Sequence, residues 1–280
     1  MKHERTNLVR ATERGFTVTE VMVAITISVF LLLGLFSILQ QTRKTNTTTS
    51  GLSQLQDDER VAMTVMTDII ESAGYVPEAN GSGQSNFIVD TTGGFATQGQ
   101  IVFARTSTIG ERITTRFDLA TNDTTLKCDG TQNTGVEQLY DEIFEIDTNG
   151  GVNQLVCIPA PGVAGIPLVN NVQNLTFQFA VNTTSASSLT ASNAVGPNTE
   201  TSNVTGYGCP ADTYITTANM TQSDWTNVCA VKVDIVFTNP LYKPPGQANP
   251  TPGQQPYVTF ERVIGILSKT GVNITSSTQT

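Results

Sequence analysis

The feature that most constrains this chain is Phe16 to Leu39 (FTVTEVMVAITISVFLLLGLFSIL), 24 residues carrying one ionisable side chain, Glu20. As a helix this run reaches about 36 Å, against a hydrocarbon core of roughly 30 Å. It can therefore span a bilayer. Lys2, Arg5, Arg10 and Arg14 precede it, and only Arg43 and Lys44 follow closely. That asymmetry favours a cytoplasmic start and an outward C-terminus. A secretory signal has a shorter apolar region followed by a small-residue cleavage site, and none follows Leu39.

The junction before the run is Arg14-Gly15-Phe16-Thr17-Val18-Thr19-Glu20. A short charged leader ending in glycine, then an aromatic, then an apolar helix with an acid five residues on, resembles the leader of type IV prepilins and pseudopilins. The resemblance implies removal of residues 1–15 by prepilin peptidase after Gly15, N-methylation of Phe16, and a subunit-assembly role for Glu20. The physics of Glu20 agrees with that role. A carboxylate at the centre of a membrane helix costs about 2.5–3.5 kcal/mol, and less near the interface, so it is held for a partner. The α-amino group that cleavage exposes on a neighbouring Phe16 is a suitable cation.

Past Gln40, the Thr-rich stretch Thr42 to Gly51 is a weak helix former and is expected to bend or fray. Leu52, Leu55, Ala62, Met66, Ile69 and Ala73 then recur at helical spacing, opposite Asp57, Asp58, Arg60 and Asp68. Gly74 and Pro77 mark the helix end. Beyond it, short runs rich in Val, Ile, Phe and Thr predict strands over 100–106, 112–119, 142–146, 152–158, 175–181, 229–238 and 257–267. Asn149-Gly150 is a hairpin signal. Residues 182–205, nearly all Ser, Thr, Asn and Ala, and the proline-rich 239–256 read as surface loops.

The segments Leu52 to Ala62 (LSQLQDDERVA), Asp68 to Tyr75 (DIIESAGY), Pro167 to Phe177 (PLVNNVQNLTF) and Trp225 to Val233 (WTNVCAVKV) are similar to PilW-type minor pilins of the type IV pilus. Lys232 and Asp234 depart from the Arg-bearing strand often found there. The resemblance implies an α+β, type IV pilin-like fold, in which a long N-terminal helix spine packs on an antiparallel sheet. Its division would be a leader (1–15), a transmembrane and filament-core helix (16–39), an amphipathic second half (40–75) and a periplasmic β-rich domain (76–280). The implied role is a minor pilin that primes pilus assembly near the tip; a minor pseudopilin of type II secretion is the alternative. The implied partners are other minor pilins, the major pilin, prepilin peptidase, the inner-membrane assembly platform, a tip adhesin and inner-membrane lipid. The expected location is the inner membrane before assembly and the pilus after it.

Composition sets limits on other chemistry. With 15 basic and 24 acidic residues the net charge is −9, and loss of the leader's four basic and two acidic residues takes it to −11. Nucleic acid, which needs clustered cations, is not an expected partner. The sole histidine, His3, leaves with the leader, so the mature chain offers no imidazole for triad catalysis or a His-ligated metal. No enzymatic activity, cofactor or metal is expected. Asp147 to Asn153 lacks the ligand pattern of a calcium loop, and Asp141 and Glu142, adjacent on a strand, point to opposite faces rather than forming a glycosidase pair. Trp225 reads as a core anchor. Cys128, Cys157, Cys209 and Cys229 form an even set without C-x-x-C spacing, which suits disulfides in an oxidising compartment. Three pairings exist. The sequential one, Cys128–Cys157 and Cys209–Cys229, closes two local excursions and is the expected one.

Overall fold

A computed structural model describes residues 15–77, 87–182, 209, 211–246 and 254–270. Most of the leader, residues 183–205 of the first predicted loop and 247–253 of the second lie outside them. The chain divides at Gly51/Leu52 into two compact units.

Helix α1 (Val18–Glu71) is helical throughout Thr42 to Gly51, so the fraying expected there does not occur. The threonines supply the reason. Thr42, Thr45 and Thr47 each donate a hydroxyl to the carbonyl one turn back, on Ile38, Gln41 and Arg43, at 2.9, 3.0 and 3.2 Å. This satisfies their hydroxyls within the helix instead of letting them compete with it.

In the second unit, α1 buries Leu55, Ala62, Met63, Met66, Ile69 and Ile70. Met63 and Ile70 widen the stripe beyond the expected set, whereas Leu52 is 39% exposed and stands outside the core. The helix ends at Gly74, whose φ of +77° is the left-handed conformation glycine adopts without penalty. Ser268 donates its hydroxyl to the carbonyl of Ala73 at 2.7 Å, satisfying one of the carbonyls a helix end leaves open.

The strands divide between two antiparallel sheets. The first is a meander of β1 (Val102–Thr106), β2 (Glu111–Leu119), β3 (Gln138–Asn149), β4 (Val152–Ile158) and β5 (Ile166–Asn170). The second has the order β7-β6-β8-β9, from β6 (Val172–Val181), β7 (Thr213–Thr216), β8 (Val228–Thr238) and β9 (Tyr257–Gly265). A short helix α2 (Leu267–Thr270) follows. Gly150 and Gly151, at φ +59° and +82°, close the β3–β4 hairpin between the paired Asn149 and Val152. Two positive φ values in a two-residue loop match the twist of the flanking strands.

One core joins the buried face of α1 to both sheets, through Phe117, Phe144, Phe177, Phe179, Trp225 and Phe237 among others. Trp225 sits 5.2 Å from the ring of Phe103 and 4.8 Å edge-on to Phe179. Because packing covers both faces of β2 and β3, charged side chains are buried with the apolar ones. Arg116 is 2% exposed. It donates Nε to Asp141 Oδ1 at 2.8 Å, Nη2 to Asp141 Oδ2 at 3.2 Å and Nη1 to the carbonyl of Ile88 at 2.7 Å. Its guanidinium also lies 3.9 Å over the ring of Phe95.

Glu142 makes no such ion pair among the described residues. Its carboxyl accepts the backbone N–H of Cys128, and burial pushes it up to about 8. The folded state thus holds this proton more tightly than the unfolded chain, whose carboxyl titrates near 4.5. The resulting stabilisation is complete below that ordinary value and is lost as the pH rises through about 8. The urea midpoint of the full chain in detergent is expected to fall over this interval, and Glu142→Gln is expected to flatten the fall; an equal slope in the variant contradicts the assignment.

Cys128 bonds to Cys157 with a Cα–Cα distance of 6.2 Å, and Cys209 to Cys229 at 5.5 Å. Both distances lie in the ordinary range.

Candidate functional site

The first unit carries the residues singled out at the N-terminus. Gly15 is exposed and a side chain there meets nothing within 4 Å. Phe16 is 87% exposed. Thr17 is the residue at which helix geometry begins, since its carbonyl accepts the first intrahelical bond, from Val21 N–H at 3.2 Å.

Thr17 and Glu20 close on each other. The backbone N–H of Thr17 donates to Glu20 Oε2 at 2.9 Å, and Glu20 N–H donates to Thr17 Oγ1 at 3.3 Å. The Thr17 hydroxyl also donates to Oε2 at 2.9 Å. This is a capping box, in which residues three apart satisfy two of the N–H groups that a helix start leaves without partners. The Thr-x-x-Glu spacing that signals it stands in the sequence, yet sequence reasoning assigned Glu20 only an intermolecular role and gave Thr17 none. Within one subunit the carboxylate is therefore already engaged, in a contact that a stronger donor can replace.

Beyond the cap, the span exposes its large apolar side chains all round, including Val18, Met22, Ile25, Phe30, Leu33, Phe36 and Leu39. This part of α1 is long and apolar enough to cross a membrane, and the protein's own fold buries none of its most apolar window. Two of its hydroxyls are satisfied within the helix. Thr26 donates to the carbonyl of Met22 at 2.8 Å and Ser28 to that of Ala24 at 2.7 Å. A surface of this kind is stable only against lipid or other apolar helices.

Comparison with known proteins bears on both units. Residues 10–36 match the family model of the prokaryotic N-terminal methylation motif. Residues 143–264, from within β3 to near the end of β9, match that of type IV pilus-assembly protein W. Among solved structures, a type IV-like pilin from Thermus thermophilus is similar at 13% identity and a TM-score of 0.37, over 76% of this chain and 97% of that one. Among curated proteins no match is found. With the methylation motif at the head of an apolar helix long enough to cross a membrane and a PilW domain over residues 143–264, the chain carries the marks of a type IV pilin-type subunit.

Proposed function

We propose that this protein is a minor pilin of the type IV pilus, part of a complex with other minor pilins that primes filament assembly near the tip. The observation that carries the reading is the apolar, uncovered first half of α1, which bears one acid and begins in a capping box. Lipid covers this surface before assembly and neighbouring pilin helices cover it afterwards. Because both environments are apolar, the exchange gains little from the hydrophobic effect, and a polar contact is needed to give it direction and register.

Glu20 supplies that contact. Prepilin peptidase, cutting after the exposed Gly15, leaves a charged α-amino group on Phe16, which is then N-methylated. Glu20 gives up the Thr17 N–H for the ammonium of a neighbouring subunit. At 4 Å and an effective dielectric of 20 such a pair is worth about 4 kcal/mol, from which desolvation subtracts a large part. The remainder is enough to select a docked state. The PilW match favours the pilus over type II secretion, in which minor pseudopilins use the same helix logic.

A role in initiation is tested by deleting the gene in cells whose pili cannot retract and counting filaments by electron microscopy. The expected result is at least a tenfold fall in filament number with ordinary length in those that form. An unchanged number with shortened filaments contradicts an initiating role.

A further inference from the structure

Glu142 is a buried acid that the filament chemistry does not use, and it lies against the Cys128–Cys157 bridge. One of its carboxyl oxygens and both sulfurs fall within 4.8 Å of one another. Its Oε1 and Oε2 accept the Cys128 N–H at 3.2 and 2.9 Å. The register explains the placement. Phe144 pairs with Cys157 across β3 and β4, so Glu142, two residues back on the same face, lies diagonal to Cys157. Cys128 arrives in a turn fastened by bonds from Lys127 N–H to the Thr131 carbonyl and from Gly130 N–H to the Lys127 carbonyl.

The two sulfurs are not equivalent. Cys128 is 7% exposed, whereas Cys157 and Glu142 are at 0%. Cys128 is the less enclosed of the two residues, so the attack of an external thiolate is assigned to its sulfur, with Cys157 as the leaving group. A thiolate expelled into so dry a place is costly unless it is protonated as it forms.

We propose that Glu142 is the proton relay of this bridge, protonating the Cys157 sulfur when an external thiol opens it and accepting the Cys157 proton when it closes. In opening, a thiolate RS⁻ attacks Cys128 Sγ. A new S–S bond forms there, the Cys128–Cys157 bond breaks, its electron pair goes to Cys157 Sγ, and the Glu142 proton follows. The products are a mixed disulfide on Cys128, a Cys157 thiol and a Glu142 carboxylate. A second thiolate then attacks the external sulfur of the mixed disulfide: the RS–SR bond forms, the bond to Cys128 Sγ breaks, and Cys128 leaves as a thiolate that takes a proton from solvent, completing a two-electron reduction in which the external thiol is oxidised. Closure is the reverse, with an external disulfide as oxidant.

The carboxyl suits the task. Burial raises it to about 8, its bond from Cys128 N–H and the nearby Lys127 lower it, and Asp129 raises it. An ordinary thiol titrates near 8.5 and burial lifts it further, so the proton passes readily from Glu142 to the departing Cys157 sulfur. Lys127 and Asp129, the charged groups acting on it from the turn, are themselves paired at 3.9 Å. Across from Glu142 on β2 stands the uncharged Thr115.

The test is the opening rate of each bridge by dithiothreitol in the full-length protein in detergent, from about pH 6 to about pH 9.5, divided by the reagent's thiolate concentration. Alkylation and peptide mass mapping separate Cys128–Cys157 from Cys209–Cys229, which serves as the internal reference. For the wild type, the Cys128–Cys157 rate is expected to hold at low pH and fall as the pH passes about 8. Glu142→Gln is expected to open this bridge at least about tenfold more slowly at the acid end, without that pH dependence, and to leave the reference bridge unchanged. A wild-type rate that stays flat with pH overturns the proposal without recourse to any variant. So does a Gln variant that keeps the wild-type profile, or one that changes both bridges by the same factor.

Discussion

Glu20→Gln is expected to leave the subunit cleaved, methylated and inserted in the membrane while lowering its recovery in sheared filaments by at least tenfold. Glutamine keeps an oxygen that can accept the Thr17 N–H, so the helix start survives, but it loses the charge offered to a neighbouring ammonium. A loss of only about 1.4 kcal/mol per docking event is sufficient for a tenfold fall. Thr17→Ala makes the complementary change. It removes the hydroxyl that joins the cap and leaves the acid, at a cost of about 1 kcal/mol in helix stability. Filament entry is expected to persist in that variant. Immunoblots of membrane and sheared fractions distinguish the two. Equal loss in both variants would mean that Glu20 acts through the cap alone.

The second large effect lies in the β domain. Arg116→Ala is expected to destabilise the fold by about 3–5 kcal/mol, because it strips a buried carboxylate of its partner. Asp141 then keeps its burial without the two bonds at 2.8 and 3.2 Å, and the Ile88 carbonyl and the face of Phe95 lose theirs as well. Replacing the pair together, as Arg116→Met with Asp141→Leu, is expected to recover most of the loss, since no fully buried charge is left alone; Asp90, which also pairs with Arg116 at 3.6 Å, has a side chain 34% exposed. Urea unfolding of the detergent-solubilised chain measures both. A single variant within about 1 kcal/mol of wild type contradicts the assignment of this pair as a buried clamp.

Local chemistry made much of this architecture legible from residues alone. The apolar run, its flanking cations and the Gly-Phe-x-x-x-Glu junction are contiguous, and the Val-, Ile-, Phe- and Thr-rich runs 112–119, 152–158 and 229–238 coincide closely with β2, β4 and β8. What escaped depended on distant partners. β7 has four residues and no buried side chain, so it is a strand only because β6 pairs with it. β5 contains Pro167 and lies outside the strands expected from the sequence, and a turn separates it from β6. The turn between them is made by Asn171 at φ +62°, which redirects the chain from the first sheet to the second. Asn170-Asn171 tolerates that conformation, but nothing local to residues 167–177 tells that the strands on either side belong to different sheets.

The burial of Arg116, Asp141 and Glu142 was likewise out of reach. It follows from the register that sets Arg116 against Asp141 and Thr115 against Glu142, and from packing on both faces of β2 and β3. At the N-terminus the case differs. The Thr17–Glu20 cap is legible in the Thr-x-x-Glu spacing alone.

The most direct measurement is mass spectrometry of this subunit recovered from purified filaments, mapped to its N-terminus. The account predicts a chain beginning at N-methylated Phe16, its apolar helix intact and its leader gone. A subunit that occurs in filaments with residues 1–15 still attached, or one that is found only dispersed in the membrane, contradicts it.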